Sequence, residues 1–165
     1  MFDRKGEVFL AEIVLKKITD LSGENLTEIW LESRKEGFHF IGRLIKEYED
    51  GANCFSLPGE CLFGVYRGKD LIGIGGINQD PHDTSKKIGR VRRFYISPLY
   101  RRTGAGSMLL GRLKREAEVH FETLLLHTDT ERGALFYEAN GFRKAKGQVK
   151  ATHFLSLADT VRILK

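Results

Sequence analysis

The chain has 165 residues, 41% hydrophobic and 10% aromatic, and its 27 Lys and Arg outweigh 22 Asp and Glu to give a net charge of +5. This size and apolar share suit a single domain, 1–165, with one substantial core, while the absence of any run near the ~18 apolar residues of a spanning helix argues against a membrane protein. Met1-Phe2-Asp3-Arg4-Lys5 lacks the apolar stretch of a signal peptide, so a cytoplasmic protein is expected, and the basic balance favours an acidic partner, either nucleic acid or a phosphorylated cofactor.

The elements read as follows in chain order. Ala11–Ile18 alternates enough to form a first strand. After caps at Asp20 and Ser22, Leu26, Ile29 and Trp30 recur at helical spacing, with Gly37 as a left-handed stop. Ile41, Leu44, Ile45 and Tyr48 mark a second helix ending at Gly51. Cys61–Tyr66 and Leu71–Ile77 flank the turn Arg67–Asp70 and form an antiparallel hairpin, whose glycines imply close packing. Cys54 and Cys61 lack the spacing of a zinc site, so both are expected to be reduced thiols, with Cys61 in the core.

The polar run Asn78–Lys87 reads as a surface loop, and the next strand begins near Ile88. Leu109, Leu110, Leu113 and Ala117 share one face of a helix that starts at Gly106, and Leu124-Leu125-Leu126 is a short buried strand. This β-α-β unit predicts a parallel pair beside an antiparallel front half, so the class is α/β or α+β. A helix over Gly133–Ala139, a turn at Asn140-Gly141 and two closing strands, near Phe142–Lys146 and Gln148–Leu157, complete the chain.

Ser97-Pro98-Leu99-Tyr100-Arg101-Arg102-Thr103-Gly104-Ala105-Gly106 joins the strand ending at Ile96 to the long helix. A loop that leads into a helix points free N–H groups outward, and the helix dipole adds about half a positive charge, so phosphate binds there readily. Gly104 and Gly106 would let a pyrophosphate approach the main chain, and Arg101 and Arg102 would add charge. There is no G-x-x-x-x-G-K-[ST] loop, and Gly73-Ile74-Gly75-Gly76 lacks a following helix, which argues against the usual nucleotide classes.

Val91–Gly106 resembles motif A of the GNAT superfamily of acyl-CoA-dependent N-acyltransferases, whose loop reads R/Q-x-x-G-x-G/A. Gly133–Phe142 is similar to that family's A-x-x-x-Y-x-x-x-G-F helix, and the order of elements agrees along nearly the whole chain. The resemblance implies a GNAT-like fold: a mixed sheet of about six or seven strands, flanked by about four helices, with the parallel fourth and fifth strands (Ile88–Ile96 and Thr123–Thr128) splayed around the pantetheine arm of acetyl-CoA. It implies an acetyltransferase that uses acetyl-CoA as co-substrate and no metal. Main-chain groups of Phe94, Tyr95 and Ile96 would pair with pantetheine, and amides of Arg101, Arg102, Thr103, Gly104, Ala105, Gly106 and Ser107 would hold the pyrophosphate.

Tyr137 stands at the position that often serves as general acid, and a phenol suits protonation of the departing thiolate. The oxyanion would meet a backbone N–H near Tyr95 or Ile96, where the strand is expected to bulge. Arg90 occupies the place where many members carry a catalytic Glu, which leaves His127, Asp129, Glu138 or a water chain as substitutes, or an acceptor amine that arrives already neutral. Thr130 replaces a frequent cofactor-contacting Asn and keeps one hydroxyl donor.

Acceptor selection in the family comes from the helix pair and late strands, here Phe38, His39, Phe40 and Trp30. The expected acceptor is a primary amine on a small molecule, with a protein N-terminus or lysine as the alternative. Two other classes stay open, a CoA-binding sensor without turnover and a nucleic-acid-binding protein drawing on Arg90, Arg92, Arg93, Arg101 and Arg102. A homodimer is a further option, since dimers are common among look-alikes.

Overall fold

The computed structural model describes residues 12–158. The predicted reading of Met1–Lys5 and the Ala11 end of the first strand lie outside these residues. Among them, β1 (Ile13–Lys17), β2 (Cys61–Arg67), β3 (Asp70–Gln79) and β4 (Ile88–Ile96) form an antiparallel meander. Residues Cys61–Tyr66 and Leu71–Asn78 are buried without alternation, which requires cover on both faces of the sheet. Helices α1 (Thr27–Lys35) and α2 (Phe40–Glu49) supply one layer and α3 (Ala105–Glu118) the other.

The sequence spacing explains which side chains face inward. Ile29 of α1 and Ile41 and Leu44 of α2 pack in one core with Leu62, Ile74 and Tyr95. Leu109, Leu110, Leu113 and Ala117 of α3 pack in a second core with Phe63, Val65, Ile77 and Val91. Helix α3 is the crossover to β5 (Thr123–Leu126), which runs parallel to β4. Helix α4 (Glu131–Ala139) then joins the α3 core through Tyr137. β6 (Arg143–Lys144) and β7 (His153–Ser156) close the sheet in the order β1-β2-β3-β4-β5-β7-β6. The mixed sheet, the parallel β4–β5 pair and four α-helices agree with the expected architecture. No helix among the described residues is long and apolar enough to cross a membrane.

Gly37 and Gly51 have φ of +85° and +79°, as left-handed helix stops should. The hairpin glycines also act as expected: a Cβ on Gly76 would lie 2.5 Å from Phe55, and one on Gly75 2.9 Å from Phe94. Cys61 is buried, which pushes its thiol up to about 11, and Cys54 is exposed and free.

Four local expectations are corrected. Asp20 caps a short 3-10 turn, Leu21–Gly23, by accepting from Ser22 N at 3.0 Å, and α1 starts later, after Asn25 accepts from Thr27 N. The Asn78–Lys87 run is not a surface loop at its start. Asn78 is buried and bonded reciprocally with Asn53 at 2.9 Å, and Asp80 is buried beside Arg90. Helix α4 begins at Glu131 because Thr130 caps it, and the closing strands are much shorter than the β-rich sequence suggests. Gly147 and Lys150, at φ +79° and +52°, break the strand path.

Candidate active site

The parallel pairing of β4 with β5 ends at Arg90 opposite Leu125, although β4 continues to Ile96. The two strands are therefore splayed, and an opening lies between their C-terminal ends. On its other edge β4 bulges: Arg92 pairs with Gly76 and Tyr95 with Ile74, so Arg93 and Phe94 together oppose Gly75. Arg93 sits at φ +57°, a conformation that costs about 1–3 kcal/mol for a side-chain-bearing residue. Its guanidinium is fixed by Glu47 of α2 at 3.0 Å, and Gly75 leaves room for Phe94.

The bulge thus lies at Arg93–Phe94, upstream of the expected Tyr95–Ile96. Ser97 N–H donates to Ile72 O at 2.8 Å. A strand period of two then turns the main chain of Tyr95 toward β3 and that of Ile96 toward the opening. Of the three main-chain groups expected to meet pantetheine, Tyr95 is committed to the sheet. The Ile96 carbonyl accepts from Arg101 Nε at 2.9 Å, which leaves its N–H toward the opening.

After the 3-10 turn Pro98–Tyr100, Arg102 and Gly104 take φ of +61° and +90°, and α3 begins at Ala105 with no side-chain cap. Met108 N–H is the first in the helix to bond, to Gly104 O at 2.9 Å, so the amides of Ala105, Gly106 and Ser107 have no partner among the described residues. A Cβ at Gly104 would meet nothing within 4 Å, so the space before these amides is open. Alternating left-handed residues ahead of a helix make a concave ring of N–H groups suited to an anion. Arg102, Thr103 and Ser107 are exposed here, with the Thr103 hydroxyl donating to Tyr100 O at 2.5 Å.

Two expectations for this loop are corrected. The Arg101 guanidinium is not available to an anion, because it grips Glu36 at the end of α1 through two bonds of 2.8 and 2.7 Å and lies over the Tyr95 ring. Gly106 owes its lack of a side chain to packing, since a Cβ there would sit 3.2 Å from Phe136 of α4.

Glu36 is a junction that the sequence reading missed. It also accepts from the Tyr95 hydroxyl at 2.6 Å and lies 3.5 Å from Arg132 of α4. The Arg101 bonds, with help from Tyr95 and Arg132, hold its carboxyl below the usual range despite partial burial. A signal existed: a glutamate at a helix C-terminus opposes the helix dipole, so another partner is implied.

Tyr137 is 9% exposed and ringed by Phe94, Phe136 and Phe142, with centroids 5.9, 5.2 and 5.7 Å away. Burial alone raises its pKa, and its hydroxyl has no hydrogen-bond partner among the described residues. Helix α4 is set by Thr130, whose Oγ1 accepts from Gly133 N at 3.0 Å. The Thr130 oxygen is thus occupied as a cap, and its O–H remains free to donate.

Arg90, where a carboxylate was expected, is buried at the last β4–β5 pair. It donates to Val149 O at 2.9 Å and Lys150 O at 2.7 Å and pairs with Asp80 at 3.3 Å, clasping the β6–β7 loop. Of the suggested substitutes, His127 stands just past β5 with Nε2 2.6 Å from Asp129, half exposed, while Glu138 lies 3.7 Å from His153. Arg90, Arg93 and Arg101 each engage an internal carboxylate and Arg92 is half-buried, leaving only Arg102 of that set exposed. The five arginines do not make an outward basic surface.

A sequence profile described as an acetyltransferase (GNAT) domain matches residues 58–144. The chain belongs to the GNAT acetyltransferase family. It is therefore an acyltransferase, of a family that takes acetyl-CoA as co-substrate. Its fold is similar to that of an Exiguobacterium sp. 255-15 protein provisionally assigned as an acetyltransferase, at 24% identity and TM-score 0.82, covering 93% of this chain and 99% of that one. It also resembles a GNAT acetyltransferase from Staphylococcus aureus Mu50, at 15% identity and TM-score 0.71 with 88% and 99% covered. A chimaeric spermidine N-acetyltransferase from Vibrio cholerae aligns at 15% identity and TM-score 0.65, covering 90% and 98%. No curated protein matches.

Within this GNAT fold, Phe38 and Phe40 stack at 5.4 Å, and Phe40 lies 6.1 Å from Tyr95 on the α1–α2 side of β4. Trp30 instead packs on Gly42 and beneath Arg34, inside the helix pair, and His39 is exposed. Phe40 is thus the member of the expected acceptor set that reaches the strand bordering the opening, with Phe38 packed behind it.

Proposed function

We propose that this chain, as one domain over 1–165, transfers an acetyl group from acetyl-CoA to a primary amine of a small molecule by direct attack in a ternary complex. The observation that carries this reading is the row of unpartnered amides at Ala105, Gly106 and Ser107, opened by Gly104, beside the splayed ends of β4 and β5. The amides receive the pyrophosphate, and the pantetheine arm follows the β4 edge past Ile96 N–H and the Phe94 bulge. The amine nitrogen attacks the thioester carbonyl carbon from the α1–α2 side, the carbon–sulfur bond breaks, and the Tyr137 hydroxyl gives its proton to the leaving thiolate.

If acetyl-CoA binds as proposed, a concentration of 100 times its Kd stabilises the protein by about 2.7 kcal/mol, which raises Tm by roughly 5–10 °C. Release of free CoA with a panel of amines then reports turnover. No shift at millimolar acetyl-CoA would overturn the reading.

In this reading the amine's proton goes to His127 rather than to Asp129, Glu138 or a water chain. His127 follows β5 at the opening, and Asp129 fixes its ring. His127→Gln is expected to lower kcat/KM about 100-fold with the acetyl-CoA Kd unchanged, as loss of a positioned base does. An unaltered rate would return the proton to water.

A further inference from the structure

Three arginines of β4 and its following loop have carboxylates: Arg90 has Asp80, Arg93 has Glu47 and Arg101 has Glu36. Arg92 is the exception. It is half-buried, and no carboxylate, carbonyl or hydroxyl bonds its guanidinium among the described residues. Asp80 and Glu47, whose charges it feels, are already taken by its neighbours.

The side of the sheet it occupies is fixed by register. Arg92 stands directly opposite Gly76, and a Cβ on Gly76 would meet Phe55, a member of the α1–α2 core. Val91 before it belongs to the α3 core. Arg92 therefore faces the α1–α2 layer, away from the α3 amides and from Tyr137. Along the strand it lies between the last β4–β5 pair at Arg90 and the bulge at Arg93–Phe94, on the floor of the opening as it begins to widen.

We infer that the acceptor amine carries a second, anionic group, a carboxylate or a phosphate monoester, and that the Arg92 guanidinium holds it. This rests on the acetyl-transfer reading above. Burial and the charges of Arg90 and Arg93 both work against the Arg92 cation, and its pKa is lowered accordingly. An uncompensated cation in such a place is unfavourable, and a bound oxyanion removes the penalty. Guanidinium presents two parallel N–H groups that match the two oxygens of a carboxylate or phosphate. The unpaired Arg92 cation likewise disfavours an acceptor that is cationic at both ends, in contrast to the spermidine named for an enzyme of similar fold.

The experiment measures CoA release from acetyl-CoA with amino carboxylates and aminoalkyl phosphates of increasing chain length, with their neutral amide and alcohol counterparts, and with diamines. Anionic acceptors are expected to exceed their neutral counterparts in kcat/KM by about 10- to 100-fold, the size of a charge-assisted pair. The carboxylate and phosphate arms separate the two sources of negative charge. Arg92→Gln should raise KM for the anionic acceptors by a similar factor and erase the preference, with kcat and the acetyl-CoA Kd unchanged. Arg92→Lys should recover part of it, and Arg115→Gln, on the exposed side of α3, should do nothing.

Preference for diamines or neutral amines, or a rise in acetyl-CoA Kd rather than acceptor KM in Arg92→Gln, would overturn the inference while leaving acetyl transfer intact. Absence of acetyl-CoA binding in the wild-type chain would instead remove both.

Discussion

Tyr137→Phe is expected to lower kcat about 100-fold and to leave the acetyl-CoA Kd within about twofold, because in the proposed transfer the hydroxyl acts on a charge that exists only as the thioester breaks. The packing around the ring predicts which other quantities stay still. Phe94, Phe136 and Phe142 contact the ring rather than the hydroxyl, which has no partner among the described residues, so its removal orphans nothing. The variant should therefore keep its Tm. Burial also favours the neutral phenol, pushing its pKa above the ordinary value of 10.0, so Tyr137 keeps its proton throughout the neutral range. An alkaline fall in kcat near neutrality must then come from another group. A Tyr137→Phe enzyme with wild-type kcat would remove the phenol from the mechanism, and one with a collapsed Tm would make its role structural.

Arg90→Glu is expected to destabilise the protein by about 3–5 kcal/mol and to yield no gain in rate. On sequence alone this substitution looks like restoration of a missing base. In the structure the Arg90 and Asp80 side chains are each 5% exposed, and the other groups at the guanidinium are the Val149 and Lys150 carbonyls. A glutamate there would meet a second carboxylate and two acceptors with no donor. At roughly 2–4 °C per kcal/mol for a chain of this size, Tm should fall by about 6–20 °C. The release of Val149 and Lys150 would also loosen the β6–β7 loop, which a rise in amide exchange over residues 147–152 would report. Unchanged stability together with a higher kcat would return a catalytic role to this position.

The part of the site that was legible in sequence is the part built from main-chain geometry. Gly104, Pro98 and the start of α3 specify a loop-to-helix junction through backbone conformation, and such specification is local. The place of Tyr137 on a short helix was legible because it occurs at a fixed offset from Gly141 and Phe142. The arginines were not. Arg90, Arg92, Arg93, Arg101 and Arg102 form one basic block in the sequence, yet partners separated by 10, 46 and 65 residues give Arg90, Arg93 and Arg101 three different duties. Gly106 was read as making room for phosphate, and it makes room for Phe136 of another helix.

The element order, the antiparallel β2–β3 hairpin, the α3 stripe and the glycine-opened helix start were all written in local sequence. Each depends on periodicity or on the conformational range of single residues, which neighbours in the chain are enough to express. Long-range packing set where the Arg93–Phe94 bulge falls, which arginines are neutralised and which one is left over, and that Arg90 is a clasp on the β6–β7 loop. Those outcomes turn on strand register and on carboxylates brought from remote elements, and a linear pattern carries no information about which distant charge will arrive beside which.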